Sequence, residues 1–226
     1  MSTPKPDKLR ADVTIVVPHP SRSIAYKDVG NSIRGLMSYT KQAGYVIALS
    51  DDYGACVAIN RNRGVHAAKS LDSKWILFYD DDMVAPASGL LRLMEHDVDV
   101  VSGVCVRRKE PFEVCSYIMK GGDRKSVVTL PDGMPKDTLM EVDSFGAAFV
   151  LVKMSVFDKI EKPYFAFPPN GDTGGVLGED LYFSQKLKEA GIKLHLDTGL
   201  VIGHIGDYTY TIDDYYAYQE MKKSDG

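Results

Sequence analysis

The chain has 226 residues, 44% of them hydrophobic and 26% charged, with a formal net charge of -4. That length suits one α/β domain with a substantial core and is too short for two domains of ordinary size. The acidic balance argues against a broad nucleic-acid grip, which needs clustered Lys and Arg. The three cysteines, Cys56, Cys105 and Cys115, lack CxxC spacing and point to neither a disulfide framework nor a zinc knuckle.

The start, residues 1–11, is polar and Pro-containing and reads as a flexible lead-in, not a signal peptide. Val13 to Val17 reads as a buried strand stopped by Pro18 and Pro20. A helix is expected over Val29 to Ala43, ended by Gly44, and a second strand over Tyr45 to Leu49, closing on Asp51-Asp52. A helix over Ala55 to Leu71 leads to a third strand, Trp75 to Tyr79, which runs into Asp80-Asp81-Asp82. Pro86 is placed to open a helix over Ala87 to Glu95. Val98 to Val106 is a fourth strand.

After residue 106 the rhythm changes. Short β-like pieces, Val114 to Met119 and Ser126 to Leu130, are broken by glycines and by Pro131-Asp132-Gly133. Val142 to Val152 reads as one strand around Gly146-Ala147-Ala148, and Lys153 to Ile160 as a short helix. A glycine-rich loop, Pro168 to Leu177, leads into a helix from Gly178 to Ala190. Ile192 to Leu196 and Val201 to Ile202 are further strands, ending at His204. Tyr208 to Lys223 reads as a Tyr-rich helix, with a flexible tail over roughly 220–226. Strands alternating with helices predict an α/β fold with a mostly parallel sheet. No apolar run approaches the roughly 18 residues of a membrane span, so a cytoplasmic protein is expected.

Four groups could carry chemistry. Asp80-Asp81-Asp82 follows an apolar strand, where open parallel sheets bind ligands. Three adjacent carboxylates repel unless a cation or a set of donors compensates, and a hard divalent ion could bridge them to a pyrophosphate. Residues two apart can face the same way, which favours Asp80 and Asp82; the plainer alternative is an acidic turn capping a helix. Glu179 and Asp180 open a helix behind the glycine-rich loop. They could be a general base or merely macrodipole-favoured carboxylates, and helix dipole and metal would both lower such a base's pKa. His204, at a strand end between glycines, could join a carboxylate and diphosphate oxygens around Mn²⁺. Arg61, in Asn60-Arg61-Asn62-Arg63-Gly64, could reach a donor site, and Asp51 or Asp52 could accept from a nucleobase or ribose. His19, His66, His96 and His195 show no comparable setting.

The order of these pieces resembles the GT-A glycosyltransferases, particularly the family-2-like group. The likeness runs from Ile-Leu-Phe-Tyr-Asp-Asp-Asp through Gly-Ala-Ala-Phe-Val-Leu-Val and Gly-Glu-Asp-Leu-Tyr-Phe to Gly-His-Ile-Gly, and covers Val13 to His204. It implies a GT-A fold over the whole chain, with a small antiparallel β element beside the parallel sheet. It also implies a nucleoside-diphosphate-sugar donor and Mn²⁺ or Mg²⁺. Asp80 and Asp82 would be the DxD motif within a donor-site triplet that includes Asp81, with Asp82 the more direct metal ligand and His204 the distal one. Asp180, preceded by Glu179, would be the base of an inverting transfer. Pro18 and the residues just after it, Asp51 or Asp52, and Arg61 would line the nucleotide pocket, and Gly146 and Ala147 would pass close to the sugar. The acceptor would be a hydroxyl on a glycan, lipid-linked glycan, protein, small molecule or modified DNA base. A HAD-like phosphotransferase expects the acidic motif on an early strand; here it is on the third. A non-catalytic sugar- or nucleotide-binding domain is another alternative, and a nucleotidyltransferase would call for a Gly-rich basic loop after the first strand.

Overall fold

A computed structural model describes residues 9–19, 27–121, 123–171 and 174–224. Positions 1–8 of the expected lead-in, and Pro20 with the rest of the first loop, lie outside them. In chain order the strands are β1 (Val13–His19), β2 (Ile47–Tyr53), β3 (Trp75–Tyr79), β4 (Met83–Val84), β5 (Val100–Val104), β6 (Ser116–Lys120) and β7 (Asp123–Ser126). There follow β8 (Leu139–Val142), β9 (Ser144–Phe145), β10 (Phe149–Lys153), β11 (Pro169–Asn170), β12 (Gly175–Val176), β13 (Leu194–Val201), β14 (Gly203–Ile205) and β15 (Thr209–Tyr210). The helices are α1 (Lys27–Gln42), α2 (Val57–Ser70), α3 (Gly89–Glu95), α4 (Glu179–Glu189) and α5 (Ile212–Ser224).

The central sheet has seven strands in the order β2-β1-β3-β10-β5-β13-β8. β1, β2 and β3 are parallel to one another, as are β5 and β13, while β10 and β8 run against their neighbours. Alternation along the strands sends side chains to two cores. Val13, Ile15 and Val17 of β1 join Leu77 and Leu151 on the face covered by α1 and α3, through Leu36 and Leu90. Val16, Phe78 and Val150 join Val65 of α2, Phe183 of α4 and Tyr215 of α5 on the other face. Gly64 lets α2 lie close on β1, because a Cβ there would collide with the Val16 methyls. This is the α/β, largely parallel architecture expected from the sequence, with small antiparallel sheets β15-β14-β4 and β7-β6-β9 beside it.

Several boundaries differ from the sequence reading. β2 extends to Tyr53, so Asp51 and Asp52 belong to the strand and point to opposite faces. The apolar run Val142–Val152 is not one strand. It is cut at Asp143 and again across Gly146–Ala148, so β8, β9 and β10 lie in three different places. The expected short helix after it is a 3₁₀ turn over Met154–Asp158, and the glycine-rich loop carries the small hairpin β11-β12. At the chain end α5 runs on to Ser224, so most of the stretch expected as a tail is helical. Ala11, too, is buried and donates its N–H to Leu71 O at 3.0 Å. No helix among the described residues is long and apolar enough to cross a membrane.

Candidate functional site

Parallel pairing of β1, β2 and β3 brings their carboxyl ends to one edge of the sheet, so His19, Asp51 and the acidic triplet meet there. The triplet itself sits in a tight turn, closed by the Met83 N–H bonding to Asp80 O at 3.1 Å. Strand alternation has ended by then, and the three carboxylates diverge. Asp80 Oδ1 accepts from Arg61 Nη2 at 2.6 Å. Asp81 Oδ2 lies 2.9 Å from His19 Nδ1. Asp82 Oδ2 lies 3.2 Å from His204 Nε2 and 3.2 Å from Arg108 Nη1. Asp80 and Asp82, expected to form the DxD pair, thus have different partners. The turn gives each carboxylate its own partner, and Asp80 is taken up by Arg61.

Asp82 and His204 are 122 residues apart in sequence, and a short strand pair joins them. β4 leaves the main sheet and pairs antiparallel with β14, setting His204 opposite Met83. The Ile205 N–H then bonds to Asp82 O at 2.8 Å. His204 Nδ1 donates to Val106 O at 2.7 Å, which orients the ring and aims Nε2 at the carboxylate. Fixing one imidazole nitrogen in this way is the usual preparation of the other as a metal ligand. Two donors about 2.1 Å from one cation at a right angle sit about 3 Å apart, close to the spacing found here. Burial would lower the His204 pKa, but the hydrogen bonds to Asp82 and to Val106 O outweigh it and raise it. Among the described residues no group of three or more His, Cys, Asp or Glu side chains is arranged to hold a metal alone. Asp82 and His204 could supply two ligands to a cation, which would take its remaining oxygens from elsewhere, as Mg²⁺ does from phosphates.

Arg61, only 2% exposed, is the hub of a second group. Its guanidinium donates to Glu179 Oε1, to Asp80 Oδ1 and, at 3.0 Å, to Ala147 O. Nε has no partner among the described residues. Arg61, expected to line a nucleotide pocket, is a buried clamp joining α2, the end of β3 and the start of α4. Desolvation pushes the Asp80 carboxyl up to about 6 although a quarter of the side chain (26%) reaches solvent. Arg61 opposes that rise, and the charges of Asp82 and Glu179 add to it. Asp180 is raised too, first by burial and then by Glu179. The expected lowering by the helix dipole is outweighed. Asp180 Oδ1 accepts from the Leu181 N–H at 2.7 Å, while Oδ2 lies 3.6 Å from where a Gly146 side chain would begin. Gly146-Ala147-Ala148 is thus threaded between Asp180 and the triplet: Ala148 O accepts the Asp80 N–H at 2.8 Å, and Gly146 donates to Cys115 O at 2.7 Å.

Toward β2, His19 is held between carboxylates, with Nε2 at 2.6 Å from Asp51 Oδ1 and Nδ1 on Asp81. Its ring stacks on Tyr53 with centroids 4.2 Å apart. These side chains wall a cavity of about 200 Å³ completed by Val17, Ile33 and Met37. Asp51 faces this cavity. Asp52 turns toward Arg63 at 3.9 Å, and Pro18 does not line it. His19 is the first of the residues after Pro18 that the resemblance put at the nucleotide pocket, although its ring was not singled out. The available signal was its place at the end of an apolar strand, the same setting that singled out His204. Arg108 lies in the irregular segment after β5, where no pattern marked it.

No family model and no curated protein sequence matches this chain. Several solved structures are similar in shape. A197 from STIV superposes with a TM-score of 0.57 at 16% identity, covering 91% of this chain and 92% of that one. A mutant of Drosophila β-1,4-galactosyltransferase 7, in complex with manganese, UDP-Gal and xylobiose, gives 0.49 at 13% identity, with 86% and 70% covered. The inositol-1-phosphate CTP transferase from T. maritima gives 0.48 at 15% identity, with 96% and 97% covered. At such identities the first likeness is one of fold alone, and the other two are looser still. The chain has an α/β fold whose strand ends gather a carboxylate–imidazole pair, a buried arginine clamp and a helix-start carboxylate.

Proposed function

We propose that this chain is a metal-dependent glycosyltransferase that moves a sugar from a nucleoside-diphosphate-sugar to an acceptor hydroxyl with inversion. The observation that carries the reading is the approach of Asp82 and His204 to 3.2 Å, with His204 oriented by Val106 O. Asp82 and His204 hold Mn²⁺ or Mg²⁺, which when bound supplies Lewis-acid neutralisation of the departing diphosphate. Arg108, bridging Asp82 and Ile205 O, places a guanidinium beside the same spot. Asp51 and His19 bound the cavity that receives the nucleoside.

Asp180 takes the proton of the acceptor hydroxyl as the sugar carbon is attacked. Its raised pKa makes it a stronger base than an ordinary aspartate. Gly146 keeps the space before Asp180 Oδ2 open, and Glu179 is a positioning residue anchored by Arg61.

The test is a thermal-shift screen of nucleotide-sugars with and without Mn²⁺, since a ligand specific to the folded form raises apparent stability. Stabilisation by one donor class that needs Mn²⁺, and that vanishes in both Asp82→Ala and His204→Ala, is expected. Failure of every donor to bind, or Mn²⁺-dependent binding unchanged in both variants, would overturn the assignment.

A further inference from the structure

The molecule holds two cysteines that the proposed chemistry does not use. The Cys115 N–H bonds to Cys105 O at 2.9 Å, the Arg107 N–H to Glu113 O at 3.0 Å, and Val106 pairs antiparallel with Val114. This register sets Cys105 directly opposite Cys115 on neighbouring segments. Facing residues of antiparallel segments have Cα atoms about 4.5–5.5 Å apart, inside the window of about 4.4–6.8 Å that a disulfide spans. The two thiols influence each other's ionisation. Both nevertheless are free thiols.

We propose that Cys105 and Cys115 form a redox-active dithiol that closes reversibly into a disulfide beneath the candidate site. The two partners are unequal in the way such a pair requires. Cys115 is half-buried and can meet an oxidant, whereas Cys105 is buried and can meet only Cys115. Interaction with Cys105 holds the Cys115 thiol below its ordinary pKa, against burial, while Cys105 is pushed up. Attacking and resolving roles are thereby separated.

With a hydroperoxide as oxidant, the Cys115 thiolate sulfur attacks one peroxide oxygen and the O–O bond breaks. Cys115 becomes a sulfenic acid, and the other oxygen leaves as hydroxide or alkoxide and takes up a proton, giving water or an alcohol. The Cys105 thiol then attacks the sulfenic sulfur, the S–O bond breaks, and water leaves. Two thiols and one hydroperoxide give one disulfide, one water and one water or alcohol. The two electrons lost by the sulfurs reduce the peroxide.

The dithiol is wired to both halves of the site. Cys115 O receives the Gly146 N–H at 2.7 Å, and Gly146 lies before Asp180. Val106, next to Cys105, holds His204 Nδ1. Closing the disulfide reorients the backbone at Cys105 and Cys115 and so shifts both supports. This functional consequence rests on the reading given under Proposed function; formation of the disulfide does not.

The experiment uses the full chain carrying Cys56→Ser, which removes the one exposed thiol. Treatment with hydrogen peroxide should remove two titratable thiols and lower the intact mass by two hydrogens. It should also yield a crosslinked peptide joining Cys105 to Cys115, and dithiothreitol should reverse all three changes. Phenylarsine oxide, a reagent for closely spaced dithiols, should bind the reduced, otherwise unsubstituted protein one to one, which needs no cysteine variant to fold. Two thiols that survive peroxide, or oxidation that halts at a sulfinic acid on Cys115, would overturn the proposal. Mn²⁺-dependent donor binding should weaken at least tenfold in the oxidised form and recover on reduction. Unchanged binding after full crosslinking would sever the link to the site. A disulfide that forms in a protein binding no nucleotide-sugar in either state would sink the transferase reading and leave the dithiol standing.

Discussion

Two groups of carboxylates, arginine and histidine lie at different places in this molecule, and they are balanced differently. Asp197, fully buried on β13, receives Arg92 Nε at 2.6 Å and Nη2 at 2.8 Å, His96 Nε2 at 2.9 Å and the Gly199 N–H at 2.9 Å. Burial would raise its pKa, yet these donors hold it below the ordinary carboxylate range. Beyond the end of β3 Arg61 faces Asp80 and Glu179 with Asp180 close by, one guanidinium against three carboxylates. There Asp80 and Asp180 are both shifted up. The first group is closed on itself and ties α3 to β13. The second has surplus negative charge beside an oriented imidazole, which is what a cation site requires before its cation arrives.

The two groups should respond oppositely to neutralisation. Asp180→Asn should lower turnover by roughly 10²–10⁴-fold, with donor binding kept. The same variant should be as stable as the parent or more so near neutral pH. Its raised pKa means the fold disfavours the ionised form, so stability is lost as pH rises through the folded pKa, and the amide removes that loss. Near-normal turnover in the single variant would take Asp180 out of the base role. Arg61→Met leaves buried carboxylates uncompensated and should cost about 3–5 kcal/mol in urea unfolding. A change below about 1 kcal/mol there would contradict the clamp.

Asp197→Asn should cost about 1–3 kcal/mol, because buried donors lose their anionic partner. Here the sign runs the other way. A depressed folded pKa contributes stability above the unfolded value near 3.8, and that stability is lost as pH falls through the folded pKa. The parent should therefore lose stability more steeply than the variant in acid, and parallel acid limbs would break the comparison. The smallest effect concerns the cavity proposed for the nucleoside. Asp51→Asn should weaken donor binding by about 1 kcal/mol, a hydrogen bond's worth, and Asp52→Asn should leave it unchanged. The reverse order would place the nucleoside on the other face of β2.

The residues that sequence order made prominent are those whose signals are local. An apolar strand running into Asp80-Asp81-Asp82, a helix opening on Glu179-Asp180 and a strand ending at His204 each needed only neighbouring residues to be seen. What stayed hidden depends on distant partners. The run Val142–Val152 has strand composition throughout, so its division at Asp143 and at Gly146–Ala148 follows from pairing with β13, β6 and β3, which no period reveals. The β4–β14 pairing that seats His204 beside Asp82 is two residues long, too short to leave a pattern. Arg61 carried a cationic label that suggested an exposed ligand-binding side chain. Its burial is legible only once Asp80 and Glu179 are seen to flank it.

The most direct test of the central claim is pulsed electron paramagnetic resonance of Mn²⁺ bound to the protein with a nucleoside diphosphate, comparing the parent with His204→Ala. The account predicts a nitrogen coupling from one imidazole in the parent that disappears in the variant, with Mn²⁺ affinity falling in Asp82→Ala as well. A Mn²⁺ centre with no imidazole coupling, or one identical in all three proteins, would contradict it.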